Sequence, residues 1–411
     1  MTTKQAAAAC GPQRILLTGG RSPAALELAR LLDRAGHRVF AAESSRYHLT
    51  RVSSAVKRSF AVPAPADGAA SYAEALEAIV RRERIDLLLP SNEEIFHVAK
   101  GLDRLLPHCR VWAAPLDTLH ELHHKGRFAA LAERFGLLVP PTTTITDPSQ
   151  WLALSEQAAQ DGDGDLVLKP VYSRFASRVI VLNHAEKMDA RRRRLEAAAS
   201  AVSERTPWVA QQYIDGSHYC SYSIAYEGRV VAHAAYPSRY RVGLGASVHF
   251  EAIAHPGIRA WVSRFVEAAE FTGQIAFDYI ESMDGRLYAI ECNPRATSGM
   301  HLFEPDDRLD RAFLAPEQLA AEGTVIEPRV GSSAMLTLPM LLCGLKQNRR
   351  LSDWQAWLSA YRNSRDAVYE RSDPWPALEQ LHLAWDVWRH SRRQRMPLTE
   401  ATTYDIEWNG E

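Results

Sequence analysis

The sequence predicts an α/β region that passes into an α+β region and ends in helices, with boundaries at residues 1–115, 116–309 and 310–411. Three observations predict it. In the first part, short apolar runs alternate with helical periodicity, as in a parallel sheet covered on both faces. In the middle part, β-type runs are joined by Glu227-Gly228 and Asp284-Gly285, which mark antiparallel hairpins. The last part reads mainly as helices, with a proline-rich break at SDPWPAL.

Taken in order, MTTKQAAAACGPQ lacks the apolar stretch of a signal peptide and is expected to be a disordered lead-in. Ile15 to Thr18 form a strand. Ser22 is an N-cap and Pro23 occupies the first helical position, where its missing N–H costs nothing. Ala25, Leu28, Leu32 and Ala35 recur at helical spacing until Gly36 stops the helix. Val39 to Ala42, RIDLLLPSNEE and RVWAAP supply further strands. A dinucleotide site needs glycines in a G-x-G-x-x-G frame. Here only Gly19-Gly20 is present, although Glu43 could hold a ribose. The other reading is a sheet whose strand ends, with Glu43, Asn92, Glu93 and Glu94, face a shared cleft.

In the middle part, Thr118 and Glu121 fit a capping box, and Gly136 with two prolines ends that helical segment. Lys125 lies within it and, by itself, reads as solvated. DGDGD marks a turn before LVLKPV, a buried-type strand that carries Lys169. A lysine there is costly without an anion to offset it. WVAQQYI is another strand, and YCSYSIAY-EG-RVVAHAAY is a hairpin. In QIAFDYIESMDGRLYAIECNP, a two-residue type I′ turn at Asp284-Gly285 pairs Met283 with Arg286 and sets Asp278 opposite Glu291. Their Cβ atoms should lie about 5 Å apart, with Asn293 on the same face. Phe277, Tyr279, Ile290 and Cys292 should point into a core. Two like charges directly opposite are destabilising. Either Arg295 neutralises them as a structural cluster, or they hold a divalent cation through two carboxylates and an amide oxygen.

HHKGRF, GLLVPPT, LVLKPV, VAQQYIDG and IAFDYIESMDGRLYAIECNPRATSG, in that order over residues 116–300, resemble the ATP-grasp superfamily. The last piece is the most specific, because Asp278, Glu291, Asn293 and Arg295 keep that family's spacing. The resemblance implies a Rossmann-like pre-ATP-grasp domain, then an ATP-grasp core of two α+β subdomains. It implies ATP as cofactor, with Lys125 and Lys169 toward its phosphates and the adenine side. Gln211, Gln212, Tyr213 and Ile214 would form the hinge facing adenine. His218 stands where the family often has a ribose-binding Glu. Asp278, Glu291 and Asn293 would bind two Mg²⁺ ions, for which Mn²⁺ can substitute. Arg295, with Lys169, would stabilise charge on the transferred phosphoryl group. The covering loop KPVYSRFASRV departs from the family in lacking glycine; Ser173, Ser177 and backbone N–H groups would then cradle phosphate. The implied activity is ligation of a small carboxylate to an amine, often an amino acid, through an acyl phosphate. The alternatives are a thiol or phosphoryl acceptor, or a nucleotide-binding protein without turnover.

For substrate, Arg239 and Arg241 could grip a carboxylate, or be incidental surface arginines. Glu94 and Asn92 could receive an amino group, and Ser298 and His301 could line a wall, although a lone histidine reads first as structural. The formal net charge of −1 gives no electrostatic case for nucleic acid. No apolar run reaches the roughly 18–20 residues of a membrane span. Five scattered cysteines fit a reduced, cytoplasmic setting. Many members of the resembled family dimerise, so a homodimer is expected. Trp354, Trp357, Trp385 and Trp388 are expected to pack a helical appendage onto the core; the competing reading of WDVWRHSRRQR is a membrane-surface or partner-binding tract.

Overall fold

A computed structural model describes residues 11–151, 153, 165–172, 178–182, 193, 195, 199, 201–241, 245–348, 350–408 and 410. Five parallel strands open the chain: β1 (Arg14–Thr18), β2 (Arg38–Glu43), β3 (Val56–Ala61), β4 (Leu87–Leu89) and β5 (Arg110–Val111). Their order is β3-β2-β1-β4-β5. Helix α1 (Pro23–Arg34) starts as its sequence dictates, with the Ser22 hydroxyl accepting the Ala25 N–H at 3.1 Å. Strand β3 was not anticipated. It is an edge strand whose Lys57 and Arg58 are exposed, so it has no apolar run, and its charges protect the open edge. The order reverses direction between β1 and β4, the position where open α/β sheets leave a crevice.

Two antiparallel sheets follow. One has the order β6-β9-β7-β8, from β6 (Thr142–Ile145), β7 (Leu166–Pro170), β8 (Ile180–Leu182) and β9 (Trp208–Gln212). Its core holds Trp151, Leu168, Leu182 and Trp208. The other has the order β11-β10-β13-β14, from β10 (Gly216–Tyr226), β11 (Arg229–Pro237), β13 (Gly273–Ser282) and β14 (Leu287–Asn293). Ile258, Trp261 and Phe265, on the helix over Pro256–Ala268, pack against its Phe277, Tyr279 and Ala289. Glu227 and Gly228 both adopt positive φ, +46° and +75°, as a type I′ hairpin turn requires.

Three local expectations are corrected. The capping box at Thr118 does not form: α5 (Leu116–His123) begins two residues earlier, where the Pro115 carbonyl accepts the Leu119 N–H at 3.0 Å. The helical segment then breaks at His124, and α6 (Lys125–Arg134) starts anew with His124 Nδ1 accepting the Arg127 N–H at 3.2 Å. Finally, the turn at Asp284-Gly285 is not type I′, because only Gly285 has positive φ (+81°). Ser282 accepts the Gly285 N–H at 2.8 Å and donates to the Arg286 carbonyl at 2.9 Å, which makes a three-residue loop.

The chain beyond residue 310 is not purely helical. Strands β15 (Ser333–Met335) and β16 (Arg365–Asp366) join β12 (His249–Glu251) in a third sheet, β12-β15-β16. Of the four tryptophans expected to pack inward, only Trp357 is buried; Trp354, Trp385 and Trp388 are exposed. The C-terminal part is held to α1 largely by buried ion pairs. Asp373 accepts from Arg30 Nε at 3.0 Å, the Ser53 hydroxyl at 2.6 Å and the Ser54 N–H at 2.9 Å. Arg30 also donates to the Val368 carbonyl at 2.9 Å. Removing one partner of such a buried pair leaves an uncompensated charge. Asp373→Ala should therefore destabilise the chain by about 3–5 kcal/mol, read as a shifted urea midpoint. A change under about 1 kcal/mol would contradict this account of how the C-terminal part is attached.

Candidate active site

The site forms where β14 ends. Asp278 and Glu291 are direct cross-strand neighbours, as expected, but by a different route. The three-residue turn shifts the register near the loop, pairing Tyr279 with Ala289. A bulge at Ile290 then restores Asp278 opposite Glu291 and Ala276 opposite Asn293. Ala289, not Ile290, consequently fills the core beside Phe277, Tyr279 and Cys292. Ile290 is only half-buried, and its carbonyl turns out of the ladder to accept from Lys169 Nζ at 3.0 Å.

Cations converge on this acid pair from three other segments. Lys169 comes from β7, in the neighbouring sheet. Lys125 is the first residue of α6 and only 2 % exposed, so the solvated reading is corrected. Its Nζ lies 3.6 Å from Glu291 Oε1 and 3.5 Å from the Val171 carbonyl, across the groove between the two antiparallel sheets. Arg295 follows β14, and its Nη2 donates to Asn293 Oδ1 at 3.1 Å and to Glu93 Oε1 at 3.3 Å. Arg295 thus anchors to the parallel sheet through Glu93 instead of closing on Asp278. His123 Nε2 sits 3.9 Å from the same Glu93 oxygen.

Burial makes these charges tense. Burial pushes the Asp278 carboxyl up to about 6, and the Glu291 charge adds to the shift. Burial pulls Lys169 down to about 8, with Lys125 acting in the same sense and Glu291 opposing. Burial also lowers the Arg295 guanidinium and holds His123 well below the usual imidazole range, hence neutral at pH 7. Among the described residues, no group of three or more His, Cys, Asp or Glu is placed to hold a metal ion. The donor set at this site is two carboxylates and the Asn293 amide.

The remaining expected residues are distributed unevenly. Gln211 is buried and spends its amide on Thr142 Oγ1 at 2.9 Å. Gln212 and Tyr213 are exposed at the end of β9, and Ile214 is half-buried in the link to β10. The Gln212 and Tyr213 N–H groups bond to the Pro141 and Asp165 carbonyls at 2.9 and 2.8 Å. His218 lies on β10, half-buried, and burial with Arg241 nearby pulls it down to about 4. Ser173, Ser177 and most of DGDGD lie outside the described residues. Glu94 is buried at the β4 end, where Oε1 accepts from the Thr18 hydroxyl at 2.8 Å and the Ser91 N–H at 2.9 Å. Arg239 is exposed, 3.8 Å from Glu251, and Arg241 bridges to Ser247. Ser298 opens a short 3₁₀ turn. His301, on that turn, is buried, with Nδ1 3.1 Å from Glu27 and its ring stacked on Phe250.

The dinucleotide alternative finds no room. Glu43 is taken by Arg21, at 2.5 Å, which Asp405 grips from the other side at 2.6 Å. A Cβ on Gly20 would meet Thr50 Oγ1 at 2.2 Å, so this glycine serves close packing against the segment over Leu49–Arg51. Sequence reasoning missed His123 and Tyr172, whose rings lie 5.6 Å apart beside the two lysines. HHK was the one available signal, since a histidine next to a buried lysine cannot itself carry charge.

Asp278 yields a prediction with a definite sign. Its folded pKa lies above its unfolded value, so the native state binds the extra proton between about pH 4 and 6. The ionised form then costs stability at pH 7, and the cost disappears as pH falls through that window. Asp278→Asn should stabilise the protein in chelator at pH 7 by about 1–3 kcal/mol, with the gain fading toward pH 4. Thermal melts across pH would test this; a destabilised variant at pH 7 would contradict it.

No protein-family model and no curated protein sequence matches the chain. Solved structures do. The L-amino acid ligase from Bacillus licheniformis aligns at 16 % identity and a TM-score of 0.54, over 71 % of this chain and 70 % of that one. The N5-carboxyaminoimidazole synthetase from Staphylococcus aureus, complexed with ADP, aligns at 12 % identity and 0.59, over 79 % and 81 %. A biotin carboxylase domain from Hydrogenobacter thermophilus, in complex with MgADP, aligns at 14 % and 0.54, over 70 % and 65 %. With its parallel sheet followed by two antiparallel sheets, and the acids of the second facing Lys169 of the first, the chain has the ATP-grasp fold.

Proposed function

We propose that the chain is an ATP- and Mg²⁺-dependent ligase that joins a small carboxylate to an amine, often an amino acid. In this reading, residues 1–115 bind substrate from the parallel-sheet side, 116–309 bind nucleotide, and 310–411 brace both. The observation that carries the reading is the Asp278–Glu291 pair with Asn293, faced by Lys125, Lys169 and Arg295 from three different segments. Such a set is costly in an empty protein. It is what a polyphosphate with divalent ions would balance. The structural neighbours named above, two of them described as ADP or MgADP complexes, support the same reading.

Asp278, Glu291 and Asn293 would hold two Mg²⁺ ions, for which Mn²⁺ could substitute. When bound, the ions would neutralise β- and γ-phosphate charge. Lys125 and Lys169 position the phosphates, and Lys169 must be protonated to do so. Gln211 to Ile214 and His218 would contact the nucleotide on its adenine and ribose side. A substrate carboxylate oxygen attacks the γ-phosphorus and ADP leaves, giving an acyl phosphate. The amine attacks the acyl carbon, phosphate leaves, and an amide forms. Arg295, held by Glu93 and Asn293, stabilises charge on the transferring phosphoryl group and on the oxyanion that follows. Glu94 is the group we place nearest the incoming amine, and Arg239, Arg241 and Ser298 are candidates for the carboxylate partner.

The test is phosphate release from Mg-ATP with amino acids and small carboxylates added singly and in pairs. Release that requires one acid and one amine together is expected. Release with no need for an amine would move the assignment to another acceptor. Glu291→Gln should lower ADP formation by at least about 10³-fold while leaving the circular dichroism and melting cooperativity intact. Because Lys169 loses its charge above about pH 8, the KM for ATP should rise with pH beyond that point. A flat ATP KM between pH 7 and 9.5 would contradict the role given to this lysine.

A further inference from the structure

The helix over Trp375–Gln394 has two faces, and the chain covers one of them. Pro376, Glu379 and Ser391 are buried, Leu383 packs toward Leu26, Leu49 and Val368, and Glu379 holds Arg51 at 2.6 Å. The opposite face carries Leu378, Leu381, Trp385 and Trp388, which are 55, 60, 61 and 43 % exposed. Trp375, 61 % exposed, stands at the helix start. The two later indoles stack on each other at 4.8 Å. Single exposed apolar residues are ordinary, but a contiguous stripe of this kind marks an interaction site. The four residues also fall at heptad a and d spacing, the seam that packs against another helix.

We propose that this stripe is a homodimer interface, in which the helix packs antiparallel to the same helix of a second copy about a two-fold axis near Leu383. The stripe is self-complementary in that orientation. Leu378 meets the partner subunit's Trp388, and Leu381 meets the partner subunit's Trp385. Each layer therefore sets a large side chain against a smaller one, as an isologous contact requires. Trp375 falls level with the partner subunit's Ser391, next to the partner subunit's Arg392, within reach of a cation–π contact. Ala384, exposed near the axis, lets the helices approach closely. A parallel pairing would instead stack indole on indole and bring the basic ends, with Arg389, Arg392 and Arg393, together.

The area suffices. Aromatic side chains bury about 150–250 Å² each, so the five exposed residues offer roughly 500–600 Å² per protomer and about 1,000–1,200 Å² per pair. That reaches the threshold of about 1,000 Å² for a specific interface before any polar rim is counted. A bilayer is the weaker occupant. The basic residues gather at one end of the helix, and Arg389 is held by Asp386 at 2.8 Å, so no rows of cations flank the stripe.

The test is sedimentation velocity of the full chain at micromolar concentration, with Trp385→Glu and Trp388→Glu as variants. Both positions are exposed, so circular dichroism and melting should be unchanged. The unsubstituted protein should sediment at twice the chain mass, and each variant should weaken the dimer at least 10-fold. Met283→Glu, at an exposed hairpin tip, should leave it intact. Under mild oxidation Ala384→Cys should crosslink to its copy, whereas Arg392→Cys should not, against the unsubstituted chain as background. A monomeric unsubstituted protein, a dimer that survives both glutamates, or equal crosslinking at 392 would overturn the proposal. So would a monomer that co-sediments with phosphatidylserine vesicles and loses this on Trp385→Glu, which would make the stripe a membrane face.

Discussion

Two carboxylates held opposite each other on adjacent strands are the constraint around which the site is arranged. Left alone, Asp278 and Glu291 would repel, and burial raises the Asp278 carboxyl accordingly. The chain answers with three cations drawn from three places: the start of α6, strand β7, and the segment after β14. None of them closes on Asp278 in a tight ion pair. Lys169 bonds to a bulged backbone carbonyl, Arg295 leans on Glu93 and Asn293, and Lys125 lies 3.6 Å from Glu291. The balance among these charges leaves both the Asp278 carboxyl and the Lys169 ammonium shifted toward their neutral forms.

The bulge at Ile290 links the fold to this electrostatics. An extra residue in β14 restores the acid pair after the turn has displaced it, and the same residue presents its carbonyl to Lys169. Strand pairing, the core place taken by Ala289 and the anchoring of a lysine from another sheet thus come from a single backbone irregularity. Glu93 plays the corresponding part on the parallel sheet. Fully buried at the start of the helix over Glu94–Lys100 that follows β4, it ties Arg295 to the N-terminal part and so fixes the second antiparallel sheet against it.

The periphery follows a different logic. Ion pairs join the C-terminal part to α1, through Arg30 with Asp373, both buried, and through buried Glu27 with exposed Arg365. These contacts orient segments far apart in sequence, and Arg21, clasped by Glu43 at the end of β2 and by Asp405, ties the C-terminal end to the parallel sheet. The tryptophans divide between the two purposes. Trp357 fills a small core and donates to the Met340 carbonyl at 3.1 Å, while the stripe on the long helix faces outward.

The sequence by itself determined the elements that local chemistry specifies. Ser22-Pro23 started α1, helical spacing carried it to Gly36, and Glu227-Gly228 closed the first hairpin, because caps and left-handed turns depend on a few adjacent residues. The acid pair was legible because two one-residue shifts cancel: the three-residue loop moves the register by one, the bulge at Ile290 moves it back, and Glu291 and Asn293 keep the face that period-two alternation gives them. What the tertiary structure decided was everything that depends on partners distant in the chain. Lys125 looks solvated until it is seen against Glu291, a lone His301 names no partner until Glu27 and Phe250 enclose it, and β3, β15 and β16 become strands only beside the neighbours that accept their hydrogen bonds. Burial and long-range pairing set those outcomes, and neither is a property of the residue or its immediate neighbours.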